Sequence, residues 1–205
     1  MRKNFLRLTA GALFLFLTSC AEPTAVKKEA VKPPEPTTGQ SALYKMYQVA
    51  RTWAPDAQVL KAASMHLTEV DAKPGTAGGW EAVFVSATKR MSRSYTYSII
   101  EQQPTLHKGT FAGPESGFAG KSGVNSPFPI IAVKVDTDAA YDTALKNGGA
   151  EYDKKNPGKT ITLLLEKIDK YPDPVWRVIW GESAGTSNFS VYVDASTGAF
   201  QEKLH

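Results

Sequence analysis

Apolar positions along the chain follow two periods. From Ser41 to Trp53 they fall at Leu43, Met46, Tyr47, Ala50 and Trp53, the three-and-four spacing that lines one side of a helix. Ser41 stands where an N-cap is expected. Ala54-Pro55 marks the stop, because proline disfavours helical geometry in the residue before it. Val59 to Val70 reads as extended with poor alternation, and Lys73-Pro74-Gly75 with Gly78-Gly79 brackets a loop. Trp80, Ala82 and Phe84 then alternate with Glu81, Val83 and Val85, and Tyr95, Tyr97 and Ile99 alternate after a polar loop, which predicts two antiparallel strands. The glycine- and proline-rich stretch from Leu106 to Phe128 predicts one short strand and an irregular connection, and Phe128 to Val135 is apolar and β-like.

A second helix is expected from Asp136 or Asp138, striped by Tyr141, Ala144 and Leu145, and ended or interrupted at Gly148-Gly149. Past the turn at Asn156-Pro157-Gly158, Ile161, Leu163 and Leu165 read as a strand. Past Pro172-Asp173-Pro174, so do Trp176, Val178 and Trp180, and finally Phe189, Val191 and Val193. The order helix, strand, Trp-led strand, loop and aromatic strand therefore occurs twice. Tyr44 stands 97 positions before Tyr141, Trp80 stands 96 before Trp176, and Tyr97 stands 94 before Val191, near-equal offsets that suggest a diverged duplication. The expected fold class is α+β: two tandem αβββ units, at 41–127 with its connection and at 128–205, each an antiparallel sheet covered by one helix. Trp53, Trp80, Trp176 and Trp180 are expected in or near the cores.

The N-terminus obeys a different logic. Arg2, Lys3 and Arg7 precede an apolar run from Leu8 to Leu17 broken by Thr9 and Gly11, and small residues lead to Cys20. This is the layout of a secretion signal over residues 1–19, too short for a membrane span. Leu17-Thr18-Ser19-Cys20 resembles the lipobox of bacterial lipoproteins, which implies diacylglycerol on the Cys20 thiol. Cys20 is the only cysteine, so it has no disulfide partner within the chain. Residues 21–40, AEPTAVKKEAVKPPEPTTGQ, offer only alanine and valine to a core and read as a flexible tether. Twenty such residues reach roughly 60 Å when extended, or about 25 Å as a coil. By the same resemblance, Ala21 in place of aspartate favours the outer membrane, with the domain facing the periplasm.

Charge excludes one class of partner. The formal charge of +4 falls to +1 when the first 19 residues, with three basic groups and no acidic ones, are removed. A near-neutral surface lacks the basic footprint that nucleic acid requires. The basic cluster Lys89, Arg90 and Arg93 reads as a solvated hairpin tip.

Pro174-Val175-Trp176-Arg177-Val178, followed by Val191-Tyr192-Val193-Asp194-Ala195-Ser196-Thr197-Gly198, resembles the C-terminal strands of PepSY domains, propeptide-type αβββ modules. The resemblance covers 136–205 and implies a part in holding a peptidase inactive, although no peptidase is attached here. Asp194, Thr197 and Gly198 are expected to form a structural turn, with the aspartate accepting a backbone N–H two residues on and the glycine taking a positive φ.

Candidate chemistry is sparse. Gly181-Glu182-Ser183-Ala184-Gly185 matches G-x-S-x-G, with Asp194 and His205 following in hydrolase order. A nucleophile elbow, however, needs a helix after the serine, and here an aromatic strand follows. Glu115 to Ser122 mimics a P-loop but begins with glutamate and leads into Pro127 and Pro129. His66, His107 and His205 lack neighbours at ligand spacing, so no metal and no cofactor is expected. Asn188-Phe189-Ser190 fits a glycosylation pattern that a bacterial secretion signal makes irrelevant. The reading is a non-catalytic, lipid-anchored envelope protein that binds a periplasmic protein or modulates a peptidase. A structural envelope component and a serine hydrolase are its rivals.

Overall fold

The computed structural model describes residues 34–102 and 104–205, so the signal, Cys20 and most of the tether lie outside the described residues. In chain order the elements are β1 (Thr37–Thr38), α1 (Gly39–Trp53), β2 (Gln58–Met65), β3 (Thr76–Ala77), β4 (Gly79–Ser86), β5 (Met91–Ser98), β6 (Gly109–Gly117), α2 (Thr137–Ala144), α3 (Ala150–Lys155), β7 (Ile161–Glu166), β8 (Val175–Trp180), β9 (Ser190–Asp194) and β10 (Phe200–Leu204). The architecture is α+β. β1 and β3 pair in a two-stranded ribbon, and the other eight strands form one antiparallel sheet in the order β10-β9-β8-β7-β2-β4-β5-β6. Each half thus supplies a helical segment and then four strands in sequence.

The two four-stranded meanders are not separate sheets. β2 and β7 pair antiparallel, with Lys61 opposite Glu166, Ala62 opposite Leu165 and Ala63 opposite Leu164. Each half would otherwise leave its first strand as an exposed edge, and this pairing closes both. The sequence reading gave each half three strands. The last strand, β10, escaped it because Phe200-Gln201-Glu202-Lys203-Leu204 is mostly exposed and carries no apolar alternation.

One core runs beneath both halves. On α1 it takes Leu43, Met46 and Ala50, on α2 Ala140, Tyr141 and Ala144, and on the sheet Trp80, Phe84, Leu163, Trp176, Trp180 and Val191. The Trp80 and Trp176 rings meet edge to face at 6.4 Å, and Tyr141 stacks on Trp180 at 6.2 Å. Trp53 packs against the core from its margin. The two leading tryptophans are held alike: the Trp80 indole N–H donates to the Thr37 carbonyl and that of Trp176 to the Val135 carbonyl. Each acceptor lies two residues before the start of its half's helix. In the sheet Tyr97 faces Trp80 and Val193 faces Trp176. Tyr44 is 40% exposed, and the fully buried Leu43 takes the inward position.

α1 starts two residues earlier than Ser41, behind Thr38, whose side chain makes no cap hydrogen bond. Its caps come from the other half instead. Gly39 N–H donates to Thr137 Oγ1 at 2.8 Å and Gln40 N–H to Asp136 Oδ1 at 2.9 Å. Asp136 Oδ1 also accepts from Thr137 N–H at 2.7 Å, so one carboxylate caps both helices. Gly39 is required at this meeting point. A Cβ there would come within 2.8 Å of Thr137, Trp176 and Trp80.

α2 runs through a π turn, Leu145–Gly149, into α3, with Asn147 and Gly148 leaving helical geometry. This is the interruption expected at Gly148-Gly149. Phe128 to Val135 is not a strand. Pro127 and Pro129 remove ladder donors, and the segment gives one bridge at Phe128 and a 3₁₀ turn, Ile130–Ala132.

Candidate functional site

The helices cover one face of the sheet, and the two edge strands remain for recognition. The edges differ. β6 carries Pro114, and its pairing with β5 slips between Arg93 and Tyr95. A proline and a bulge both blunt an edge against further pairing. β10 also slips against β9, between Phe200 and Glu202, but it has no proline, and its Phe200 and Leu204 are 40% and 37% exposed. Its outward backbone groups form the less protected edge. Exposed strand backbone of this kind can accept an added strand through main-chain hydrogen bonds.

On the face away from the helices, side chains from adjacent strands build a charged row in which Glu166 and Tyr192 are buried. Glu166 lies opposite Lys61, and Arg177 lies opposite Tyr192. The Arg177 guanidinium sits 5.2 Å from the Tyr192 ring centre, and its Nε donates to Ser190 Oγ at 3.0 Å. The Tyr192 hydroxyl donates to Glu166 Oε1 over a long 3.5 Å. Tyr171, Val175, Tyr192 and Ile168 form a small apolar cluster beside the row. Lys170 pairs with Glu202 from β10.

Burial holds the Glu166 carboxyl above its ordinary pKa of 4.5, against the opposing pull of Arg177, Tyr192 and Lys61. Burial likewise raises the Tyr192 and Tyr171 phenols. For Glu166 the folded chain therefore holds its proton to higher pH than the unfolded chain does. This group's contribution to stability is full below about 4.5 and is lost as pH rises through the folded value. Glu166→Gln removes that dependence. Denaturant midpoints measured from pH 4 to 8 are expected to show the variant gaining on the wild type as pH rises; a wild type that gains on the variant contradicts the assignment.

The residues singled out in the sequence are dispersed. Asp194 Oδ1 accepts from the backbone N–H of Ser196 and Thr197, both at 2.8 Å. Gly198, at φ +78°, donates its N–H to the Asp194 carbonyl at 2.9 Å, and Thr197 Oγ1 accepts from Ala199 N–H. These three residues make the β9–β10 turn. Ser183 lies in the β8–β9 loop and shares a 2.8 Å hydrogen bond with Thr186, and the His205 ring rests 5.3 Å from that of Phe189. Ser183, Asp194 and His205 thus have three different local settings.

The P-loop mimic is divided between β6 and a loop in which Lys121 pairs with Asp169 at 2.6 Å. His107 bonds Glu101 at 2.7 Å. Arg93 donates Nε to the Gly113 carbonyl, and Lys89 stands 5.4 Å from the Trp53 ring. The β10 edge and the Glu166–Arg177 row were missed in the sequence. For the row the available signal was a charge of each sign on two neighbouring apolar strands. Among the described residues no group of three or more His, Cys, Asp or Glu could hold a metal ion, and no helix is long and apolar enough to cross a membrane.

No family model matches the chain, and no curated protein matches it. Its coordinates are similar to the crystal structure of a putative lipoprotein from Clostridium difficile 630, with 11% identity over 83% of this chain and 92% of that one, at a TM-score of 0.46.

Proposed function

We propose that this chain is a lipid-anchored envelope protein that acts by binding another protein and has no catalytic chemistry of its own. The anchoring rests on one observation: Leu17-Thr18-Ser19-Cys20 closes a basic-then-apolar leader, and its cysteine is the only one in the chain. One acyl chain binds a bilayer marginally and several bind it durably, so a multiply acylated Cys20 supplies the attachment. Ala21 favours the outer membrane, facing the periplasm. The binding role rests on the β10 edge, which an extended segment of a periplasmic partner can join. The PepSY-like strands at 174–178 and 191–198 make a peptidase the first partner to test. The two helix-and-meander halves are read as copies of one ancestral unit, on the shared placement of Trp80 and Trp176 and their indole hydrogen bonds.

Cys20→Ser is expected to release the protein from the envelope fraction. A variant that still sediments there at the same processed mass contradicts the anchor. A photo-crosslinking residue at Gln201 is expected to give a discrete protein adduct in intact cells, with Ser116 on the guarded edge as the control. If position 201 gives none, and deletion disturbs the membrane without changing proteolysis, a structural envelope component is the better reading.

A further inference from the structure

Where β2 and β7 part, the chain treats the two ends of their seam differently. At one end β7 turns away after Glu166, and the connection between the halves enters the gap. Val59 and Phe128 exchange both backbone hydrogen bonds at 2.9 Å, Ser126 N–H donates to the Lys167 carbonyl, and Asn125 bridges Ile168. The Phe128 side chain joins the core and is 1% exposed. An extended segment carrying one aromatic residue thus plugs that end.

The counterpart at the other end follows from the strand registers. Val59 faces Phe84, four residues after Trp80, and Ile161 faces Trp180, four residues after Trp176. Ile161 is therefore the counterpart of Val59. The β2–β7 pairing ends at Ala63 and Leu164, after which Leu163 N–H is met only by the Ser64 hydroxyl at 2.9 Å. Because Thr160 accepts from Gly181 on the β8 side, the alternation of an antiparallel ladder turns the N–H and C=O of Ile161 toward the gap.

No segment of the described chain fills this gap. It is a cleft of about 490 Å³ whose lining includes Ile161, Leu163, Tyr141, His66, the two lysines Lys73 and Lys159 and one carboxylate, Asp71, within the volume range of ligand sites. Tyr141 is 9% exposed, and among the described residues no hydrogen bond is made to its hydroxyl. Lys73 and Lys159 have no ion-pair partner among the described residues.

We infer that this cleft binds an extended peptide of a partner protein, which bridges Ile161 through its backbone, inserts one aromatic side chain beside Tyr141 and Leu163, and sets an acidic residue against Lys73 and Lys159. The inference deepens the protein-binding reading and rests on it. Residues 21–33 of the tether contain no aromatic residue, so the chain's own spacer is a poor occupant.

The test uses two probes on the detergent-solubilised, isotope-labelled full chain: acetyl-Asn-Ser-Pro-Phe-Pro-Ile-amide, copied from 125–130, and the same peptide with aspartate first. Saturable amide shifts are expected at Ile161, Leu163 and His66. Affinity is expected to fall about tenfold or more when the peptide's phenylalanine becomes alanine. Lys73→Glu with Lys159→Glu, on the exposed rim, is expected to weaken the aspartate peptide more than the neutral one. No saturable shift at the cleft up to about 1 mM, or equal binding of the alanine peptide, overturns the inference. Shifts confined to β10 overturn the cleft while leaving the protein-binding reading intact, and absence of the Gln201 adduct in cells counts separately against that parent reading.

Discussion

Trp176→Ala is expected to cost about 3–5 kcal/mol of folding stability and to lower the stability of the whole domain. The indole is fully buried, meets Trp80 at 6.4 Å and donates to the Val135 carbonyl. Truncation therefore leaves a cavity and strips a part-buried carbonyl of its donor. Trp80→Ala does the same from the other half, through Thr37. Because both rings belong to one core, each variant should unfold in a single transition, with circular dichroism and fluorescence giving the same midpoint. A biphasic curve, in which only the half carrying the substitution melts early, would mean two cores instead of one. The two effects should also fail to add, since rings in contact couple by about 0.5–1.5 kcal/mol.

Asp136→Ala is expected to cost about 2–3 kcal/mol, more than a single lost cap, because one carboxylate oxygen serves two helices. It accepts from Thr137 N–H at the start of α2 and from Gln40 N–H at the start of α1. Asp136→Asn keeps an acceptor in place and should recover most of the loss. Chemical denaturation of the two variants separates the cases. Equal losses would mean that negative charge at two positive helix ends, and not the hydrogen bonds, carries the effect.

What was legible in the sequence is what local physics encodes. The α1 stripe of Leu43, Met46 and Ala50 follows from helical spacing, and all three are fully buried. The Asp194 turn is closed by N–H groups two and three residues on, so its residues announce it. The joining of the two meanders is not written locally. Ala62 and Ala63 facing Leu165 and Leu164 look like any strand interior, and only the exclusion of two open edges selects that pairing. The start of α1 was misplaced for the same reason: its caps lie 98 and 96 residues away. The apolar content of Phe128 to Val135 favours a strand, but Pro127 and Pro129 leave room for one bridge only. Glu166 and Arg177 became a row only when the register placed β7 beside β8 and β8 beside β9.

The described residues form a single folded body, and the claim on which its proposed work depends is the anchor. Mass spectrometry of the N-terminal peptide of protein extracted from native envelopes tests that claim most directly. The account predicts a mature chain that begins at Cys20 and carries the added mass of glyceryl-linked acyl groups on its sulfur. A chain cut elsewhere, or one whose Cys20 thiol is free, contradicts it.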